Sequence, residues 1–158
     1  MAAQPVFHVG AVQVFGDLIL APMVGFSDLP FRSICRTLGS SLSYTEFINV
    51  DELQGRRGGS LRAKQKLRFR KHERPVVFQL YGHDVERIVD TAQWLQDLGP
   101  DIIDINMGCF VKKIAQRGAG AGMMRDPRLI ARLMERLVTA LDIPVSAKIR
   151  LGWDDDSR

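Results

Sequence analysis

DIIDINMGCFVKKIAQRGAGAGMM, residues 101–124, opens as a buried strand and closes as a glycine-rich loop. Ile102, Ile103 and Ile105 are β-branched and apolar, and Asp104 and Asn106 break the run at its end. Gly108 then takes the backbone out of the strand and delivers a single cysteine, Cys109. A basic patch follows (Lys112, Lys113, Arg117), and after it a glycine ladder at Gly118, Gly120 and Gly122. Strand, polar residue, cysteine and loop, in that order, describe a site at the carboxyl end of a parallel strand, where α/β folds place their chemistry.

Working outward, the flanks repeat the pattern. Residues 6–15 read as a hairpin, and Leu18 to Met23 as a first buried strand. Ser27 or Asp28 caps a helix whose stripe Phe31, Ile34, Cys35 and Leu38 is expected to be buried, making Cys35 a small packing residue. A second strand, Ser43 to Ile48, carries Glu46; a third, Val76 to Tyr81, carries Gln79. A helix with Val85, Ile88, Val89, Ala92 and Leu95 on one face precedes the central strand. Asp126-Pro127 starts the next helix in cap-then-proline order, with Ile130, Leu133, Met134, Leu137, Val138 and Leu141 as its stripe. The fifth strand runs from Val145 to Leu151 and holds Lys148 and Arg150.

Strands alternating with helices imply βα units around a parallel sheet. The first βα turn, PMVGFSD, lacks the GxGxxG fingerprint of the open doubly wound fold, so a (β/α)₈ TIM-type barrel is expected. Such a barrel takes about 250 residues. The 158 residues of this chain are therefore expected to form its first five βα units, preceded by an N-terminal hairpin.

Composition sets looser bounds. The chain is 46% hydrophobic and 25% charged, which is ordinary for a globular protein. Its net charge of +4 permits a polyanionic partner without demanding one. Two cysteines are too few for a disulfide framework. No apolar run reaches the roughly 20 residues of a membrane span, and the N-terminus has no positive n-region, so a cytoplasmic location is expected. No metal site is expected.

Four features carry chemistry. Cys109 suits a general acid if protonated or a nucleophile if ionised; a thiol's reference pKa near 8.5 leaves both open. Lys148, expected to be buried among Val145, Ala147 and Ile149, needs an anion. It could balance a charged cofactor, form a Schiff base, or pair with Asp104 or Glu46. The glycine ladder lacks Walker spacing and is expected to act as a flexible lid. Between Arg56 and Arg74 lie nine basic residues opposed only by Glu73, either a solvated helix face or a partner for phosphates.

Together, LILAPMVGFSDLPFR, VVFQLYG, DIIDINMGC with its KK and glycine-rich loop, and AKIRLGW resemble the amino-terminal part of the tRNA-dihydrouridine synthases, especially the bacterial B-type group. The resemblance covers nearly all of residues 9–153. It implies an FMN-dependent barrel that reduces a tRNA uridine to 5,6-dihydrouridine with NADPH. Matched by position, Cys109 is the proton donor. Pro22 and Met23 lie against the flavin, Gln79 and Asn106 position it, and Lys148 faces its N1/O2 side. Arg56, Arg57, Arg62, Lys64, Lys112 and Lys113 become the expected tRNA contacts.

The chain departs from the family at Phe110, where proline usually follows the catalytic cysteine; a phenylalanine could instead stack on a base. The later strands with the flavin-phosphate site, and the carboxyl-terminal helical domain that grips tRNA, are not in this sequence. Residues 1–158 alone are thus expected to be colourless and inactive, and to associate through open sheet edges. The competing readings are another flavin barrel acting on a free pyrimidine-like substrate, a Schiff-base aldolase, and an inactive RNA-binding fragment.

Overall fold

The structure, a computed structural model, describes residues 4–54 and 59–157; Arg56 and Arg57 lie outside the described residues. Strands β1 (Phe7–Val9) and β2 (Val12–Val14) form the antiparallel hairpin, turning at Gly10 with φ of 57°. The remaining strands are β3 (Ile19–Leu20), β4 (Leu42–Tyr44), β5 (Ile48–Asn49), β6 (Val76–Tyr81), β7 (Ile102–Asn106) and β8 (Val145–Lys148). They pair in parallel in the order β3-β4-β6-β7-β8, with β5 also on β6. Sequential parallel strands joined by helices curl into half of a (β/α)₈ barrel, as expected from the alternating pattern. β3 and β8 are its edges.

The helices are α1 (Leu29–Thr37), α2 (Val50–Gln54), α3 (Leu61–Lys66), α4 (Val85–Gln96), α5 (Lys112–Ala115) and α6 (Pro127–Ala140). Asp28, Ser60, Asp84 and Asp126 cap α1, α3, α4 and α6 by accepting backbone N–H bonds in the first turn. None of the described helices is long and apolar enough to cross a membrane.

Strand alternation divides the side chains between two cores. Outward, Val76, Phe78, Leu80, Ile103 and Ile105 pack with Ile88, Ala92 and Leu95 of α4 and Leu133 and Leu137 of α6. Inward, at the amino end of the strands, Leu42, Val77 and Ile102 meet Val14 of the hairpin, backed by Phe7, Val9 and Val12. The hairpin thus plugs the bottom of the interior with apolar surface. The next inward positions toward the carboxyl end are polar.

Several expectations need correcting. The second strand is split: β4 ends at Tyr44, and Glu46 lies in the link before β5, where its Oε1 accepts the Gly25 N–H. β8 ends at Lys148, so Arg150 lies beyond it. The α1 stripe is not buried: Phe31, Ile34 and Leu38 are exposed and Cys35 is half-buried, because no described element packs over that face. Of the basic region from Arg56 to Arg74, the described residues form α3 and a 3₁₀ turn at Lys71–Glu73, anchored by buried Ala63 and Leu67.

What α1 does bury is an ion pair. Arg32 and Glu73 are both fully buried with Nη2 and Oε2 3.2 Å apart. Arg32 also donates to the carbonyls of Ser27 (2.7 Å) and Arg68 (2.6 Å). Glu73 accepts from the Ser33 hydroxyl (2.6 Å) and the Arg70 N–H (3.3 Å). The pair ties α1 to the segment entering β6. Removing one partner strands the other's charge, so Arg32→Ala should destabilise the fold by about 3–5 kcal/mol. In a double-mutant cycle with Glu73→Ala, measured by urea denaturation, the joint loss should fall well short of the sum. Additive losses would mean that the pair is not coupled.

Candidate active site

Pairing register sets three side chains in a row across the sheet: Gln79 opposite Asp104 on β6 and β7, and Asp104 opposite Ser146 on β8. Asp104 accepts two hydrogen bonds, from Gln79 Nε2 to Oδ2 and from Ser146 Oγ to Oδ1, both 2.6 Å. Gln79 Oε1 in turn accepts from Asn106 Nδ2 at 3.0 Å. Asn106 Oδ1 then accepts the backbone N–H groups of Gly108 (3.2 Å) and Cys109 (2.9 Å). A single line of donors and acceptors therefore runs from the carboxylate to the amide of Cys109. Gln79, Asp104 and Asn106 are all buried, so each bond is shielded from competing water.

The turn bearing Cys109 is fixed from behind as well. The Cys109 carbonyl accepts the Ala121 N–H at 2.9 Å. Gly120, Ala121, Gly122 and Met123 are buried in a 3₁₀ segment, Gly120–Arg125, packed on α5. A Cβ on Gly122 would lie 2.2 Å from the Ala115 carbonyl oxygen, and one on Gly120, at φ of 56°, 2.7 Å from that of Cys109. These glycines serve close backbone packing, which corrects the flexible-lid expectation. On the outer side, Arg150 Nε donates to the Gly108 carbonyl (2.7 Å), and its guanidinium stacks on Phe110.

Electrostatics follow from burial. Asp104 is pushed above the ordinary carboxylate pKa by desolvation; the Ser146 and Gln79 hydrogen bonds and the Lys148 charge pull it partly back. Burial raises Tyr44, helped by the charge of Asp104. Tyr81, stacked edge-on against Phe47 at 5.3 Å, is raised by burial and by Glu52, Cys109 and Asp51, with Arg117 opposing.

Of the residues singled out from the sequence, Gln79, Asn106 and Cys109 are brought into one bonded line. Pro22 and Met23 lie just past the short β3, where the Met23 N–H and the Ser27 hydroxyl are 2.5 Å apart. Lys148 is exposed, not buried, at the open end of edge strand β8, and makes no ion pair with Asp104 or Glu46. Arg62 lines a groove of about 620 Å³ with Lys66, Arg68, Arg70 and Glu46. Lys64 is exposed on α3, and Lys112 and Lys113 on α5. Lys113 and Arg117 border a second recess of about 320 Å³ beside Tyr81. Ser146 and Arg150 join the site without a role foreseen from sequence. Ser146 comes level with Asp104 because β8 is staggered by one residue against β7, which counting from the strand starts does not reveal, and Arg150 acts from beyond the end of its strand. Among the described residues, no group of three or more His, Cys, Asp or Glu could hold a metal ion.

Because its pKa is raised, Asp104 stabilises the fold most in acid, below its unfolded value near 3.8, and that contribution is lost as pH rises through the folded value. Asp104→Asn removes the ionisation while keeping an acceptor for Gln79. Denaturation midpoints of the variant should therefore gain on wild type between pH about 4 and neutrality. Parallel curves would place Asp104 in a more solvated setting than its burial implies.

The geometry can be set beside known proteins. The sequence model of the dihydrouridine synthase (Dus) family matches residues 19–158. The chain is 39% identical over 153 residues to tRNA-dihydrouridine synthase B of Pseudomonas aeruginosa, covering 97% of this chain and 45% of that protein. It is likewise 39% identical over 155 residues to the Pseudomonas syringae pv. tomato protein of the same name (96% and 44%). A probable tRNA-dihydrouridine synthase of Rhodobacter capsulatus is 40% identical over 139 residues (88% and 42%). The chain spans less than half the length of these curated relatives. With the match extending through every parallel strand and the Cys109 turn, this chain belongs to the dihydrouridine synthase family.

Proposed function

We propose that this chain supplies the cysteine-bearing half of a barrel that reduces a uridine in tRNA to 5,6-dihydrouridine, with FMN as cofactor and NADPH as reductant. The observation that carries the reading is the Cys109 turn, bonded through Asn106 and Gln79 to a buried carboxylate at the polar end of the barrel interior.

The residues present fit the ring end of a flavin. Gln79 spends one amide hydrogen on Asp104, leaving the other for an acceptor. Lys148 brings an ammonium to the same end of the strands, opposite Asn106 in register. Amide donor and ammonium together match the acceptor-rich N1/O2 edge of an isoalloxazine. Pro22 and Met23, past β3, offer apolar contact. The phosphate end has no partner that we assign in this chain.

When bound, the flavin supplies hydride, delivered to C6 of the uracil. Cys109 gives its thiol proton to C5, so that one hydride and one proton together saturate the 5,6 bond. Asn106 holds the Cys109 amide and keeps the thiol from turning away. Lys148 offsets negative charge at the edge it faces. Arg62, Lys64, Lys112 and Lys113 follow the carboxyl ends of β5 and β7, on the face where Cys109 emerges, and would hold tRNA phosphates there. Arg56 and Arg57, which lie outside the described residues, are proposed as tRNA contacts on their charge alone.

In a protein extending over the relatives' full length, Cys109→Ala should bind FMN and oxidise NADPH normally while losing about 100-fold or more in dihydrouridine formation, the usual scale for a lost general acid. Loss of the flavin, or normal uridine reduction, would remove Cys109 from this role. In the same protein, replacing Arg62, Lys64, Lys112 and Lys113 with glutamine should weaken tRNA binding and flatten the log–log salt slope by about one for each phosphate no longer neutralised. An unchanged slope would return these residues to plain solvated surface.

A further inference from the structure

Asn106 holds the Cys109 turn from within and Ala121 holds it from behind, but its outward side leans on a residue beyond the end of β8. Arg150 lies two positions past Lys148. Its Nε donates to the Gly108 carbonyl at 2.7 Å, and its guanidinium carbon stands 4.9 Å from the centre of the Phe110 ring. One arginine therefore grips the residue before Cys109 through the backbone and the residue after it through the side chain. Gly108 lies against the strand exit: a Cβ there would come within 3.5 Å of the Lys148 carbonyl oxygen and 3.6 Å of that of Ile149.

Phe110 is 74% exposed. A phenyl ring in water gains little from any one rotamer, so its ordering has to come from a specific contact. A guanidinium is planar, stacks on an aromatic face and keeps its edge free to donate, which an ammonium cannot do. Arg150 uses both capacities at once.

We propose that Arg150 and Phe110 form a clamp that sets the direction in which the Cys109 thiol is presented. Both are positioning residues, acting through the turn. The inference rests on Cys109 being the reacting thiol, but its test needs neither flavin nor RNA, so it can fail while the proposed function stands.

The test is alkylation of the 158-residue chain by iodoacetamide, read by mass spectrometry, with Cys35 as reference in the same molecule. Phe110→Leu keeps apolar bulk but removes the aromatic face; Arg150→Lys keeps the charge but removes the planar stack; Phe110→Tyr keeps the face. An exposed cation–π contact corresponds to about a two- to fivefold change in population. The Leu and Lys variants should therefore alkylate Cys109 about two to five times faster relative to Cys35, displaced equally across pH, with thermal midpoints unchanged. The Tyr variant should match wild type. Unchanged ratios, a failed match by the Tyr variant, or acceleration shared by Cys35 would each overturn the clamp.

Discussion

A buried carboxylate with only hydrogen-bond acceptors dictates the orientation of everything above it. Asp104 accepts from Gln79, which forces the Gln79 carbonyl to face Asn106, which forces the Asn106 carbonyl to face the turn. Two amide side chains that could each sit in either of two orientations are thereby left with one. The backbone of Cys109 inherits that choice. Desolvation disfavours the charge at the root of the line, and the Ser146 and Gln79 donors offset part of that cost. Stability is given up at Asp104, and direction is gained at Cys109.

The line exists only in one register. Gln79, Asp104 and Ser146 come level because β6, β7 and β8 pair as they do. A slip of one residue would swing each side chain to the opposite face, putting Phe78 or Leu80 into the interior. The outer core guards against this, since Phe78, Leu80, Ile103 and Ile105 must meet α4 and α6. Apolar packing outside fixes polar alignment inside. The hairpin completes the division by filling the amino end with Val14, leaving polar contacts to the carboxyl end.

Much of this was legible from residue types. β6, α4, β7 and α6 follow from short-range patterns of apolar residues and aspartate caps, and their limits lie close to expectation. The position of Cys109 after a polar-ended strand was equally plain. Other features depended on neighbours that periodicity does not describe. The α1 stripe has helical spacing, yet whether it is covered depends on what packs beside it. Lys148 alternates with apolar residues, yet it sits on an edge strand whose inner face opens outward. The glycine ladder has a loop's composition, but backbone packing buries it. Arg32, inside an otherwise amphipathic helix, reads as surface until Glu73 is brought to it from 41 residues away.

The buried ladder also governs how this chain can vary. Any side chain at Gly122 would collide with the Ala115 backbone, and any at Gly120 with the carbonyl of Cys109 itself. Neither collision can be relieved by a side chain stepping aside. Mutational drift is therefore barred at these two positions while Lys112 and Lys113, a few residues earlier and facing water, can change freely without disturbing the turn. One short segment thus tolerates change at its exposed lysines and refuses it at its two buried glycines.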